Sequence, residues 1–278
     1  MIFFSFWEGP KLSLYEQLSI RSFEQYGHEV KLYSYSSAIS GYSGQLYDAE
    51  IIVPKDIFRD FESITSFSNY FRYVALSNNE SGRTWVDLDI LCLSGTWPNS
   101  DYLMGYETRN RLNNAVLRIP AKATMLSSLI KGSERGEGKI FGSTGPFLLT
   151  KVWKASKKEF EVQPIGVFYG VGHWDMGMFF DPRLRAAAES RLSNSLAVHL
   201  YNELIVRAAI PKNVLPPVGS FLYNQFVNIM PESISVPVLG EEWIIGWRRN
   251  FKERKIANAV GRHLGPLRFF AKNLMRLE

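Results

Sequence analysis

Hydrophobic and polar positions follow one another in short blocks over the first two thirds of the chain. "MIFFSFW" (1–7) is an apolar run of strand length that breaks at Glu8-Gly9-Pro10. Ser13 and Glu16 have the spacing of a capping box, which predicts a helix through Phe23 that stops at Gly27. "EVKLYSY" predicts a second strand. From Ser66, "SFSNYFRYVALSNN" sets Phe67, Phe71 and Val74 on one helical face. "RTWVDLDILCL" predicts a further strand, and so do "DYLMGYE" and "NAVLRIP". "TMLSSLIKG" and "GPFLLTKVWKAS" pattern as helices, "LAVHL" is short and apolar, and "YNELIVRAA" predicts another helix. Strands alternating with helices specify an α/β fold with a mainly parallel, Rossmann-like sheet flanked by helices. There is no internal repeat. Pro211, Pro216 and Pro217 mark an irregular stretch, which divides the chain into a domain over 1–210 and a C-terminal region over 211–278.

Length and composition agree with this picture. The 278 residues suffice for one large α/β domain, or one with a smaller appendage. Cys92 is the single cysteine, so an intramolecular disulfide is impossible and a reducing, cytoplasmic setting is expected. The apolar start lacks a basic leader region and reads as a first strand rather than a signal peptide. No run approaches the roughly 20 apolar residues of a membrane-crossing helix.

Charge adds a feature that the pattern alone does not give. The chain carries a net +5, yet from Arg248 onward nine Arg or Lys face only Glu253 and Glu278, so the preceding body is slightly acidic. A nucleic-acid partner would need a basic groove on that body and is not expected. In the tail, the cations are interleaved with Ile256, Val260, Leu264, Leu267, Phe269, Phe270 and Leu274. Basic amphipathic helices, broken near Gly265-Pro266, fit this spacing. They suit a peripheral contact with an anionic membrane at the inner face of the cytoplasmic membrane, or equally a C-terminal helix packed on the body.

The chemistry concentrates in "TWVDLDIL". Residues i and i+2 of a strand face the same way, so Asp87 and Asp89 are expected side by side. Burying unpaired carboxylates is costly, and a pair retained between apolar flanks must face something positive. At the carboxyl end of an α/β strand such a pair can hold Mn²⁺ or Mg²⁺, leaving the cation's other positions to phosphate and water. Two other readings compete: an ordinary turn or solvated edge, and the acid pair of a haloacid-dehalogenase-type phosphatase. The phosphatase reading is the weaker, because the later Asp residues 101, 175 and 181 are scattered.

The ordered motifs resemble those of retaining GT-A glycosyltransferases. They resemble most closely glycosyltransferase family 32 and its α-1,4-galactosyltransferase-like and mannosyltransferase-like relatives, and more remotely the catalytic core of clostridial glucosylating toxins. The resemblance spans roughly residues 1–205 and rests on "FFSFWEG", Ser68-Asn69-Tyr70-Phe71-Arg72, Gly82-Arg83, "TWVDLD", "NNAVLRIP", "GSTGPFLLT", "VFYG…HW" and "AVHLYNE". It departs from the family where Asn69 replaces the usual Asp and where Arg83 replaces the second Gly of a turn.

The resemblance implies a metal-dependent enzyme. It would move a hexose or hexosamine from a nucleotide sugar, with a UDP-hexose favoured and GDP-mannose next, to a bacterial surface-polysaccharide or lipid-linked glycan acceptor. A non-catalytic nucleotide- or carbohydrate-binding protein on the same fold is the alternative. Carried onto this chain, the resemblance makes Asp89 the direct metal ligand, with Asp87 binding the metal more loosely or contacting the ribose and sugar. His199 becomes a third contact, to metal or phosphate, where its residue type alone suggests a hydrogen-bonded core histidine. Arg72 lies on the same helical face as Asn69 and can offer its planar fork to a phosphate or to Asp87. Trp7 would stack on the nucleobase or pack in the core, Asn69 would face the ribose, and Trp85 would line the sugar or the core. No lone carboxylate stands out as a nucleophile; the polar candidates near these motifs are Asn113, Asn114, Glu107 and Asp175. That favours a front-face reaction in which Asn114 positions the donor sugar.

Overall fold

The computed structural model describes residues 1–78, 82–134, 143–156 and 160–240. The basic helices expected after Arg248 lie outside the described residues.

In chain order the elements are β1 (Ile2–Phe6), α1 (Leu14–Gln25), β2 (Glu29–Ser34), β3 (Leu46–Asp48), α2 (Lys55–Phe58), α3 (Ile64–Ser77), β4 (Thr84–Val86) and β5 (Ile90–Cys92). There follow β6 (Leu103–Thr108), β7 (Arg111–Arg118), α4 (Thr124–Ser133), α5 (Pro146–Ala155), α6 (Ile165–Phe168), α7 (Arg185–Leu192), β8 (Ala197–His199), α8 (Asn202–Arg207) and α9 (Phe221–Ile229). Six strands form the central sheet in the order β3-β2-β1-β4-β7-β6. The pairs β2/β3, β1/β2 and β1/β4 are parallel, while β7 runs antiparallel to β4 and β6. The mixed α/β architecture with a mainly parallel sheet is therefore the expected one.

Local chemistry explains the elements. Ser13 caps α1 and forms the reciprocal capping box with Glu16. Gly27, at φ 75°, then takes the left-handed turn that releases the chain into β2. In β1, alternate side chains face opposite layers. Phe4 and Phe6 pack with α3 residues Phe67 and Phe71, whereas Phe3 packs with Phe23 of α1 and Trp97.

One expectation needs correction. Residues 83–93 are not one strand. β4 belongs to the central sheet, but β5 pairs antiparallel with β8 in a separate two-stranded sheet. A turn at Asp87–Asp89 joins them, closed by the Ile90 N–H donating to the Asp87 carbonyl at 3.1 Å. The cause is the acids themselves. Thr84, Trp85 and Val86 are buried, as are Ile90, Leu91 and Cys92. A strand continued straight through 87–89 would draw the carboxylates into those layers, whereas the turn leaves Asp87 27% and Asp89 17% exposed. Asp87 and Asp89 thus occupy a turn, not one face of a strand.

Three hydrophobic clusters meet along this segment. Trp85 lies in the first, with α3, α4 and α5. Leu91 lies in the second, with α1 and the residues near Phe179 and Phe226. Val86, Leu88, Ile90 and Cys92 lie in the third. Residues 211–240 also pack here: Leu215, Phe221, Leu222, Phe226 and Met230 share the second cluster with Tyr15 and Leu18 of α1. Lys212 pairs with the buried Glu16.

Candidate active site

Strand order reverses at β1: β2 and β3 lie on one side and β4 on the other. In open α/β sheets the crevice at the carboxyl ends of two such strands is where ligands bind. Here those ends carry Trp7 and Asp87. Trp7 is half-buried and its N–H donates to the Tyr33 carbonyl at 3.0 Å. Its indole Nε1 is buried without a hydrogen-bond partner among the described residues.

Asp87 is fixed by three groups. Its backbone N–H donates to the Ala115 carbonyl of β7 at 2.8 Å. Its Oδ1 accepts from Arg72 Nη2 at 2.6 Å and from the Trp85 indole Nε1 at 2.7 Å. Arg72 is almost fully buried; its Nη1 donates to the Asn114 carbonyl at 2.7 Å, and its guanidinium lies 4.8 Å over the Trp85 ring. A charge-assisted fork with a cation–π contact is a strong anchor. Trp85, expected to line the sugar or the core, is buried in the core and is also a direct donor to the acid. Burial raises the Asp87 carboxyl above its ordinary range, Arg72 pulls it down and the Asp89 charge pushes it up again, with a net upward shift.

Asp89 is held differently. Its Oδ2 accepts from His199 Nε2 at 3.1 Å and from the backbone N–H of Asn202 at 2.8 Å. Its own carbonyl receives the Leu200 N–H at 2.8 Å. Tyr201 adopts a left-handed backbone, φ 56°, immediately before Asn202. For a residue with a side chain this conformation costs about 1–3 kcal/mol, and such strain gathers at functional sites. The Tyr201 ring lies 4.3 Å from that of His199, and its hydroxyl donates to the Val171 carbonyl. Burial disfavours both charged forms. It is outweighed by the attraction and hydrogen bond between Asp89 and His199, so Asp89 is lowered and His199 raised.

Each acid therefore has one oxygen engaged and one not. Asp87 Oδ2 and Asp89 Oδ1 take no hydrogen bond among the described residues. Buried polar atoms without hydrogen-bond partners among the described residues also gather here: Arg72 Nε, His199 Nδ1, Asn202 Oδ1 and the Tyr169 hydroxyl. Two available carboxylate oxygens fit a divalent cation. His199 directs Nε2 at Asp89, which suits it to orienting that acid. Among the described residues, no group of three or more His, Cys, Asp or Glu side chains could hold a metal ion unaided. Donor phosphate and water would complete such a shell.

Asn69 and Asn114 come together, although 45 residues apart. Asn114 Nδ2 donates to Asn69 Oδ1 at 2.9 Å and to the Tyr73 hydroxyl at 3.1 Å, and Asn69 Nδ2 donates to Thr144 Oγ1 at 3.1 Å. Position 69 uses one donor and one acceptor of a single amide, a combination a carboxylate lacks. Both amides are buried and stand behind Arg72, whose fork rests on the Asn114 carbonyl.

Of the other polar candidates, Asn113 accepts the Ala115 N–H, and Asp175 pairs with Arg191 on the surface. Glu107 accepts from Arg111 Nε at 2.9 Å and lies 3.8 Å from His173 Nδ1. Sequence reasoning missed Tyr73, Thr144, Tyr169, Tyr201 and the Asn202 N–H. The last is a backbone group, and no side-chain pattern could have flagged it.

The comparisons with known proteins bear on the second half of this site. Residues 133–216 match the model of the alpha 1,4-glycosyltransferase conserved region. That stretch contains His199, Tyr201 and Asn202 but not the acid pair. No curated protein matches the chain. Among solved structures, the one titled PaToxG Glycosyltransferase matches with a TM-score of 0.39 and 13% sequence identity, over 69% of this chain and 78% of that one. Over residues 133–216 the chain is similar to this glycosyltransferase region, which supports a glycosyltransferase like those of family 32.

Proposed function

We propose that the chain is a metal-dependent, retaining glycosyltransferase that moves a hexose or hexosamine from a nucleotide sugar to a bacterial surface-polysaccharide or lipid-linked glycan. UDP-sugars are the favoured donors and GDP-mannose the next. The observation that carries the reading is the turn between the two sheets, where two separately anchored carboxylates each keep one oxygen available.

In the transfer, the bond from the anomeric carbon to the diphosphate oxygen breaks and its electron pair leaves with the diphosphate. The acceptor hydroxyl oxygen bonds to the same face of that carbon, and its proton passes to the diphosphate. Bound Mn²⁺ or Mg²⁺ would neutralise charge on the leaving group. Asp89 and Asp87 would hold it, with His199 and the Asn202 N–H fixing the first acid and Arg72 and Trp85 the second. Such preorganised groups need no rearrangement as charge develops. Trp7, at the strand-order switch, offers its ring to the nucleobase.

Thermal unfolding tests this reading. UDP with Mn²⁺ is expected to raise Tm more than either alone. Saturation at a hundredfold Kd adds about 2.7 kcal/mol, or roughly 5–10 °C for a chain of this size. Nucleotide that stabilises equally with and without metal would count against the proposed cation.

The basic tail extends the proposal to location: a cytoplasmic enzyme held peripherally at an anionic membrane, with 1–210 as the nucleotide-sugar domain and 211–278 as the C-terminal region. Truncation after Arg248 should abolish co-sedimentation with anionic vesicles at moderate salt. Undiminished sedimentation of the truncated chain would refute the membrane role.

A further inference from the structure

A cavity of about 400 Å³ opens between β7 and α5, lined by Asn110, Arg111, Phe147, Thr150, Lys151 and Lys154. None of these residues belongs to the acid-pair site. The volume is within the usual range for small-ligand pockets, about 300–1,000 Å³. Its chemistry is unusual for an acidic body. Lys151 and Lys154 are exposed, three residues apart on one helical side, and neither forms an ion pair among the described residues. Arg111 is already matched by Glu107 and lies 5.5 Å over the Phe147 ring. Phe147 is 49% exposed, a large apolar face left in water beside cations.

An aromatic face takes the apolar side of a pyranose, and adjacent unmatched ammonium groups take an anion on it. Thr150 contributes shape only, because its hydroxyl donates to the Pro146 carbonyl and accepts the Leu112 N–H. The cavity is also tied to the transfer site. Along β7, Arg111 lies three residues before Asn114, whose carbonyl receives Arg72, a span of about 10 Å along a strand. Ahead of α5, a Cβ at Gly145 would come within 3.0 Å of Asn69.

We propose that this cavity is an acceptor subsite for an acidic sugar, a glycan residue bearing a carboxylate or a phosphate. The acceptor role rests on the glycosyl-transfer reading; the recognition of an anionic sugar does not. The experiment titrates the full chain, without donor or metal, with trigalacturonate, glucose 6-phosphate and neutral maltotriose, following ligand resonances by NMR. The acidic probes are expected to bind, and maltotriose to bind at least about tenfold more weakly. The double variant Lys151→Gln/Lys154→Gln should lose at least about tenfold in affinity for the acidic probes, Phe147→Ala should weaken them, and the distant Lys122→Gln should match the wild type. Binding of trigalacturonate alone assigns a carboxylate, and of glucose 6-phosphate alone a phosphate. The proposal is overturned if neither acidic probe binds, if maltotriose binds as well, if the double variant binds like wild type, or if Lys122→Gln is equally impaired. Nucleotide-sugar hydrolysis by the wild-type chain reports separately on transfer. Acidic-probe binding that depends on Lys151 and Lys154 without any hydrolysis would leave the subsite standing and remove the transfer reading.

Discussion

Asp89→Asn is expected to cut metal-dependent nucleotide-sugar turnover by at least about a hundredfold, the scale of losing one preorganised electrostatic contact in an active site. The carboxylate serves two partners at once. Its Oδ2 meets the His199 imidazole and the Asn202 N–H, and its other oxygen is available to a cation. An amide keeps the shape but not the charge. The largest attraction that raises His199 then disappears while its burial remains, so the imidazole's pKa should fall. The measurement is nucleoside diphosphate release at saturating Mn²⁺, with circular dichroism to confirm the fold. Activity within a few-fold of wild type would remove Asp89 from the site.

The second large effect is on stability. Arg72→Ala should destabilise the chain by about 3 kcal/mol, the lower end for breaking a buried ion pair, because Asp87 retains some exposure. The loss has three parts: Asp87 without its cation, the Asn114 carbonyl without its donor, and the Trp85 ring without its guanidinium. For a domain of this size, that lowers Tm by roughly 6–12 °C. Arg72→Lys should fall between, since one ammonium cannot reproduce a planar fork reaching both oxygens. A melting curve for Arg72→Ala that overlays the wild type would show that the fork is not structural.

The fold was legible wherever local chemistry decided it. The Ser13–Glu16 box and Gly27 bounded α1, and the apolar period of Phe67, Phe71 and Val74 located α3. The acid pair was legible too, as carboxylates among apolar residues. Its backbone was not. A strand buried on both faces shows no alternation, so "TWVDLDILCL" gives no periodic cue for where one sheet ends and another begins. Of the competing readings, the turn describes the backbone of 87–89. α9 and the three-residue β3 also went unseen. The first lies in a proline-marked stretch held by contacts with α1, and the second is too short for a pattern. The Asn69–Asn114 contact depends on β7 lying beside α3, which a linear sequence cannot state. His199 was visible only as an ambiguous residue type, and its meaning came from β8 pairing with β5, which sets it opposite Ile90.

Residues 85 to 92 are anchored in all three hydrophobic clusters. The short span between the sheets therefore behaves like a shared hinge pin. Loosening any one of these layers is expected to change the spacing of the carboxylates. Catalytic failure should thus precede global unfolding on heating, whichever layer softens first.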